Sequence, residues 1–227
     1  MFNIWIYGGD GKELPRMQTM ENHKPSRRRP PRFDLIAGNV SLDFVNTLDD
    51  RHTQPKELLE HYNDLARFGE DAGLLDPSRF DRLVASSSKS PDQAEEALLR
   101  ARDLRESIHD VFWALINHRP VPPEALATLN RDTRIAAEHL RLVPINGGFE
   151  WRFDDLDDFD GLRWQIARSA ADLLVSNQLP FVRACSSTEC EWFFLDTSKN
   201  HHRRWCDMSR CGNRAKVRKF YAKKKSI

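Results

Sequence analysis

Residues 185–214 read CSSTECEWFFLDTSKNHHRRWCDMSRCGNR, and this stretch contains all four cysteines of the 227-residue chain. The cysteines form two pairs, with four residues inside each pair and fifteen residues between the pairs. Two close pairs can place four thiolates in a tetrahedron around zinc, at about 2.3 Å from the metal. The spacing therefore predicts one structural Zn²⁺ held by Cys185, Cys190, Cys206 and Cys211. A catalytic zinc keeps an open coordination position, which four thiolates do not leave.

The residues between the two cysteine pairs have the length of a β-hairpin. Residues 192–195 would form one arm, 197–202 the turn and 203–206 the return strand. A helical run follows over 214–225, so that Cys211 would lie at a helix start, where the dipole favours thiolate charge. A knuckle, a hairpin and a helix in this order predict a treble-clef finger. An apolar stripe of this helix is expected to pack on the knuckle, and it consists of Val217, Phe220 and Tyr221.

The C-terminal part of the chain is strongly basic. From Phe181 to Ile227, twelve Lys and Arg residues stand against four acidic ones, a net charge of +8, and the remainder carries −7 within an overall charge of +1. Such a segment attracts polyanions. Two basic rows flank small residues on the final helix, a shape that suits phosphates or a major groove. The alternative is a solvated basic tail. The basic residues predicted to contact nucleic acid are Arg203, Arg204, Arg214, Lys216, Arg218, Lys219 and Lys223.

The rest of the chain predicts a mainly helical domain with a small antiparallel sheet. Over 92–118, apolar residues recur at three- and four-residue steps before a proline-rich end. An Asn-Gly-Gly turn joins 140–145 and 149–153 into a hairpin. The apolar pattern of 33–48 predicts a strand or short hairpin. Further helices are predicted at 56–69, 77–86, 124–137 and 162–176.

Composition divides the chain into three segments. Residues 1–32 end in the basic run ENHKPSRRRPPR and are interpreted as a flexible leader. Residues 33–179 form the helical domain, and Leu179-Pro180 marks the boundary to the finger at 180–227. No apolar run reaches the roughly 18 residues of a membrane span. Clustered cysteines without a signal peptide favour the reducing cytoplasm.

Three polar residues of the helical domain are candidates for a ligand site. Asp43 and Asn46 lie where a predicted strand meets a helix, and Arg102 would hold an anion from the polar side of the long helix. The alternatives are helix capping by Asn46 and solvated ion pairs of Arg102. In the finger, His201 and His202 loosely resemble a nuclease metal site, but such a site needs further ligands.

These motifs resemble a known family. The segment 192–221, with Cys-Gly-Asn-Arg at 211–214, resembles the CGNR zinc finger. LDFVNTL at 42–48 and RARDLRESIHDVF at 100–112 resemble the ABATE domain, which precedes this finger in bacterial proteins. The resemblance implies a stress-induced transcriptional regulator with a treble-clef DNA-binding finger and a domain that senses a small ligand. It also adds Asn213 to the expected nucleic-acid contacts.

We therefore expect a cytoplasmic DNA-binding regulator without enzymatic activity, catalytic residues or membrane contact. Its finger would bind DNA, and its helical domain would sense an unknown small molecule or mediate dimerisation. Because an isolated DNA-binding module buries only about 600–1,000 Å², a homodimer is expected. The alternatives are a non-catalytic RNA- or protein-binding zinc module and a metal-dependent nuclease.

Overall fold

The computed structural model describes residues 30–51 and 53–225, without the side chains at 219, 222, 223 and 225. These residues form a mainly helical protein with three two-stranded antiparallel sheets. The α-helices are α1 (Val40–Val45), α2 (Tyr62–Asp71), α3 (Pro77–Lys89), α4 (Pro91–Ile116), α5 (Pro123–Glu138), α6 (Gly161–Leu174) and α7 (Asn213–Lys225). The strands are β1 (Leu48–Asp49), β2 (Lys56–Glu57), β3 (Leu140–Ile145), β4 (Gly148–Phe153), β5 (Val182–Ala184) and β6 (Phe193–Leu195). A 3₁₀ turn, Leu179–Phe181, precedes β5, and a π-helical turn, Met208–Gly212, leads into α7.

Residues 1–29 of the leader predicted at 1–32 lie outside the described part of the structure. Its described end contacts α2, where the Arg32 backbone N–H donates to the Asp71 carboxylate at 2.7 Å. In the described part of the chain, no helix is both long and apolar enough to span a bilayer.

The stretch 33–48, predicted as a strand or short hairpin, contains helix α1 instead. Gly38 adopts a positive φ of 78°, and Asn39 then caps the helix by accepting a hydrogen bond from the Ser41 N–H. The apolar residues at 42, 44 and 45 are all buried. A short helix that is buried on most sides has no polar face, and its sequence therefore looks like that of a buried strand. The strand prediction is wrong for this reason.

The long predicted helix is confirmed as α4, which forms the centre of the helical domain. It begins at Pro91. Proline lacks a backbone N–H, but N–H groups in the first turn have no acceptor within the helix, so no hydrogen bond is lost there. It contacts the five other helices of the domain. Leu98, Leu104, Ile108 and Phe112 on this helix are fully buried. Burial of each such side chain contributes roughly 1.5–3 kcal/mol, so the apolar face of α4 is a main source of stability.

Most other elements also follow local signals. The Asp76 carboxylate caps α3 as predicted, by accepting from the N–H groups two and three residues later. Helices α5 and α6 confirm the predictions at 124–137 and 162–176. The prediction at 56–69 is right only for its second half, because Lys56–Glu57 pairs with β1 as a strand. The hairpin β3–β4 is confirmed, with Gly147 at a φ of 87° in its turn.

The finger strands continue the core of the helical domain. Strand β5 pairs with β6, so the predicted pairing of 192–195 with a return strand at 203–206 is wrong. The zinc knuckle, defined as residues 185–190, replaces a tight turn between β5 and β6. Strand β5 occupies one edge of β6, and Asn46 and Ala37 bind the backbone of the other edge. The return segment therefore pairs with the knuckle, where the Ser186 N–H donates to the Arg204 carbonyl at 2.8 Å. Phe193 and Phe194 of β6 are fully buried in the same apolar cluster as the helices.

Candidate metal centre and nucleic-acid surface

The four cysteines converge in one buried cluster. Their sulfur atoms lie within 4.8 Å of one another. The Sγ–Sγ distances are 3.5 Å for Cys190–Cys206 and 3.7 Å for Cys206–Cys211. Four sulfurs at about 2.3 Å from a central zinc lie roughly 3.8 Å apart in a regular tetrahedron. All four cysteines are free thiols rather than disulfides, and their spacing fits one structural Zn²⁺.

Two local turns place the ligands. Cys185 follows β5, and Cys190 closes the knuckle before β6, with its N–H donating to the carbonyl three residues earlier at 3.0 Å. Cys206 precedes Asp207. The Asp207 carboxylate caps the π-helical turn by accepting hydrogen bonds from the N–H groups of Ser209 and Arg210. Cys211 lies in that turn and is buried. Short-range hydrogen bonds thus hold each pair in place, and the metal would join the two pairs.

The sulfurs perturb one another's protonation. Hydrogen bonds from the thiols of Cys190 and Cys206 hold the pKa of Cys185 well below its usual range. The hydrogen bonds of Cys190 with Cys185 and Cys206, together with burial, raise the pKa of Cys190. A divalent ion relieves this conflict because it stabilises all the thiolates together. Arg214 donates to Cys211 Sγ at 3.2 Å and offsets part of the negative charge that four thiolates leave on the metal.

The glycine and asparagine after the last ligand also support the metal turn. A Cβ on Gly212 would lie 2.5 Å from the sulfur of Met208 and 3.3 Å from the ring of Trp205. A side chain at this position would therefore require the exposed Met208 side chain to move and the Trp205 ring to shift by a few tenths of an ångström. The amide of Asn213 donates to the Ser209 carbonyl at 2.9 Å and ties the start of α7 to the π-helical turn.

Helix α7 presents basic side chains to solvent directly after the metal turn. A groove of about 830 Å³ opens beside its first turns, between Glu189 and the side chains of α7. The predicted contacts that are exposed there or on the segment before it are Arg204, Asn213, Arg214, Lys216 and Arg218. The predicted side chains of Lys219 and Lys223 lie outside the described part of the structure.

Carboxylates pair with three arginines near this groove. Arg218 donates to Glu189 at 3.0 and 3.2 Å, and Arg214 lies 3.9 Å from the same carboxylate. Arg210, which was not among the predicted contacts, pairs with Asp34 of the helical domain at 3.1 Å. These side chains are roughly half exposed, so each pair contributes only about 0–1 kcal/mol. Such pairs can open in favour of another anion.

Arg203 has a different position from the other predicted contacts. Its guanidinium donates to the carbonyls of Trp205, at 2.8 Å, and of Cys206, and lies over the Phe194 ring at 4.5 Å. These contacts fix the chain that leads to the second cysteine pair. A contact between Arg203 and nucleic acid stays a prediction.

The apolar stripe of α7 does not pack on the knuckle. Val217, Phe220 and Tyr221 are 54, 59 and 60% exposed, so that expectation is wrong. The face of α7 that turns towards the knuckle carries Arg214 and Arg218, which bind Cys211 Sγ and Glu189. Charge compensation at the metal site therefore takes the position that the stripe was expected to fill.

Asn46 joins the helical domain to the finger. Its side-chain amide donates to the Phe193 carbonyl and accepts from the Phe193 N–H, both at 2.9 Å. The His109 ring stacks on the Phe193 ring with centroids 5.3 Å apart. Beside them, Trp192 Nε1 donates to Asp49 at 2.7 Å. We call the paired hydrogen bonds between Asn46 and Phe193 the clamp. Sequence reasoning missed it because these two residues lie 147 positions apart.

The other two candidate ligand residues have separate partners inside the helical domain. Asp43 accepts from the Ala37 N–H at 2.8 Å. Burial raises the pKa of Asp43 to about 6 despite this backbone bond. Arg102 donates to the Leu59 carbonyl at 3.1 Å. Ligand binding by Asp43, Asn46 and Arg102 stays a prediction.

Comparison with known families gives two matches. The model of the ABATE family, described as "Putative stress-induced transcription regulator", matches residues 38–177. The model of the CGNR zinc finger matches residues 182–224. Among curated proteins, none matches the chain. The family matches coincide with the two motifs on which the sequence resemblance rested.

Proposed function

Since the chain belongs to the ABATE family and ends in a CGNR zinc finger, we propose that it is a transcriptional regulator whose finger binds double-stranded DNA. The finger is of the treble-clef type in this proposal, and α7 is the helix that lies against the duplex. The helical domain senses a small molecule, and the protein acts in the cytoplasm without catalysing a reaction.

The observation that carries the proposal is the position of α7 directly after the ligand Cys211. The metal fixes the first turn of the helix, and Arg214 links that turn to the cluster. From there, exposed Lys216 and Arg218 follow on a helix of mostly basic composition. A helix held rigidly at one end and charged along its length suits docking against phosphates or in a major groove.

The carboxylates near α7 modulate this surface. Glu189 and Asp34 hold Arg218 and Arg210 in the free protein. On binding, phosphate oxygens would replace these carboxylates as acceptors, so each arginine would exchange one singly charged oxyanion for another. The exchange lowers the net gain in affinity but keeps the arginine side chains ordered before the DNA arrives.

A second candidate is single-stranded nucleic acid, including RNA. Phe220 and Tyr221 are exposed on α7, and Lys224 lies 5.4 Å from the Phe220 ring centre. Exposed aromatic rings beside cations are the groups on which unpaired bases stack. In this case the stripe that does not pack on the knuckle would be the binding surface.

Selection from a random duplex library would test the first proposal. We expect enriched duplexes to bind the zinc-loaded protein at least about 10³ times more tightly than unrelated duplexes. Competition with single-stranded RNA and DNA of the same sequence separates the two candidates. If single strands displace the selected duplex at equal concentration, the proposal of a duplex reader is wrong.

A further inference from the structure

The hairpin β3–β4 exposes an apolar face that no described residue covers. Residues opposite each other in an antiparallel pair point to the same side, and Leu142 lies opposite Trp151, as Pro144 lies opposite Phe149. Leu142, Trp151 and Phe149 are 55, 62 and 67% exposed. Among the described elements, the two strands pack chiefly against each other. The face therefore projects from the helical domain.

A free hairpin of this kind is physically unfavourable. An isolated two-stranded sheet is marginally stable in water and usually needs a further strand or another surface on its apolar side. The three side chains offer on the order of 400 Å² of apolar surface, given the 150–250 Å² that a large aromatic residue can bury. A contiguous patch of this size is typical of an interaction site.

The chemistry of the face fits a second copy of the same chain. In a two-fold interface the same patch meets itself, so any charge near the axis would face its like. The residues of this face are uncharged. The charges on the opposite side are already balanced, because Arg152 pairs with Glu150, and Arg141 pairs with Asp154 at 2.9 Å.

We propose that two copies of the chain associate through this face of the β3–β4 hairpin. The two apolar faces would bury roughly 800 Å², and the exposed Pro144 on the same face, together with the strand edges, would bring the total to about the 1,000 Å² that a specific interface needs. The choice of a second copy rests in part on the proposed function, because two fingers double the small footprint of one finger on DNA.

Sedimentation velocity of the full-length, zinc-loaded protein without DNA tests this inference. We expect a concentration-dependent monomer–dimer equilibrium for the wild type. Phe149→Ser and Trp151→Ser should each weaken association about 30-fold or more, as expected for aromatic anchors at the centre of an interface. Val175→Ser is the matched control, because Val175 is also apolar and is 87% exposed on another element.

Each result decides the matter. A monomeric wild type at all concentrations would overturn the inference, and so would a dimer whose affinity the two hairpin variants leave unchanged. Helix content and zinc content show whether a variant has kept its fold. Leu142→Glu is a further variant, which changes side-chain volume little and places like charges on the two facing patches. Because DNA is absent from the experiment, its failure would leave the proposed DNA binding standing.

Discussion

Replacing Asn46 by alanine is expected to lower the free energy of unfolding by about 2–6 kcal/mol, the sum over two buried polar groups that lose a partner. These groups are the N–H and the carbonyl of Phe193, each 2.9 Å from the Asn46 amide. A buried polar group left unsatisfied costs about 1–3 kcal/mol. Because Phe193 follows the knuckle, the same change should let a chelator remove zinc faster. Asn46→Asp keeps the acceptor, loses the donor and brings a carboxylate against the Phe193 carbonyl, so it should be no more stable than the alanine variant.

The assay is urea unfolding with excess zinc, followed by far-ultraviolet circular dichroism and tryptophan fluorescence, together with zinc transfer to a chromogenic chelator. Asn117→Ala is the matched control. Asn117 also ends a helix and donates to a carbonyl, that of Trp113 at 2.8 Å, but this bond is exposed. The control should change stability by no more than about 0.5 kcal/mol. If Asn46→Ala behaved like the control in both measurements, the clamp would not hold the finger to the helical domain.

Three further predictions concern the metal, the pH dependence and the charge of α7. Cys206→Ser should lose zinc and keep its helical dichroism. It should also melt at a lower temperature, because the finger shares the hydrophobic core of the helical domain. Stoichiometric zinc in the variant would contradict the ligand set. Burial raises the pKa of Asp43 from 3.8 to about 6, so the folded protein binds an extra proton between these values. The free energy of unfolding should therefore fall by up to roughly 3 kcal/mol as pH rises through this window. Urea titrations of Asp43→Asn should show no such fall. If the free energy of unfolding of this variant depended on pH as in the wild type, other groups would be its cause. The double variant Lys219→Glu/Lys223→Glu should flatten the slope of log DNA affinity against log salt by about 2. The control variant Lys56→Glu/Lys89→Glu should leave this slope unchanged. If the α7 variant had the slope of the wild type, the phosphate contacts would lie elsewhere.

Local chemistry made much of the architecture predictable. The cysteine pairs are each held by a short turn, and spacing alone therefore identified all four zinc ligands. Asp76 before Pro77 marks a helix start, and the Asn-Gly-Gly turn at 146–148 marks a hairpin, because both signals act within a few residues. The length of α4 follows from an apolar face that is continuous over its whole length.

The errors arose where distant partners decide the structure. Helix α1 is covered on most sides by other elements, so its own sequence has no helical periodicity to read. The role of Asn46 depends on Phe193, and that of Arg203 depends on Phe194 and two carbonyls of the metal turn. The exposed stripe of α7 was assigned to the core because an apolar stripe usually lies there. A charged contact to the metal site overrode that tendency.

Mapping of a photocross-linked complex with selected duplex DNA is the most direct test of the proposed binding surface. The protein would be loaded with zinc, cross-linked, digested and analysed by mass spectrometry. We predict that cross-linked peptides come from the metal turn and α7, including Lys216 and Arg218, and that removal of zinc abolishes them. Cross-links confined to the helical domain, or unchanged after zinc removal, would contradict the claim that the metal presents α7 to DNA.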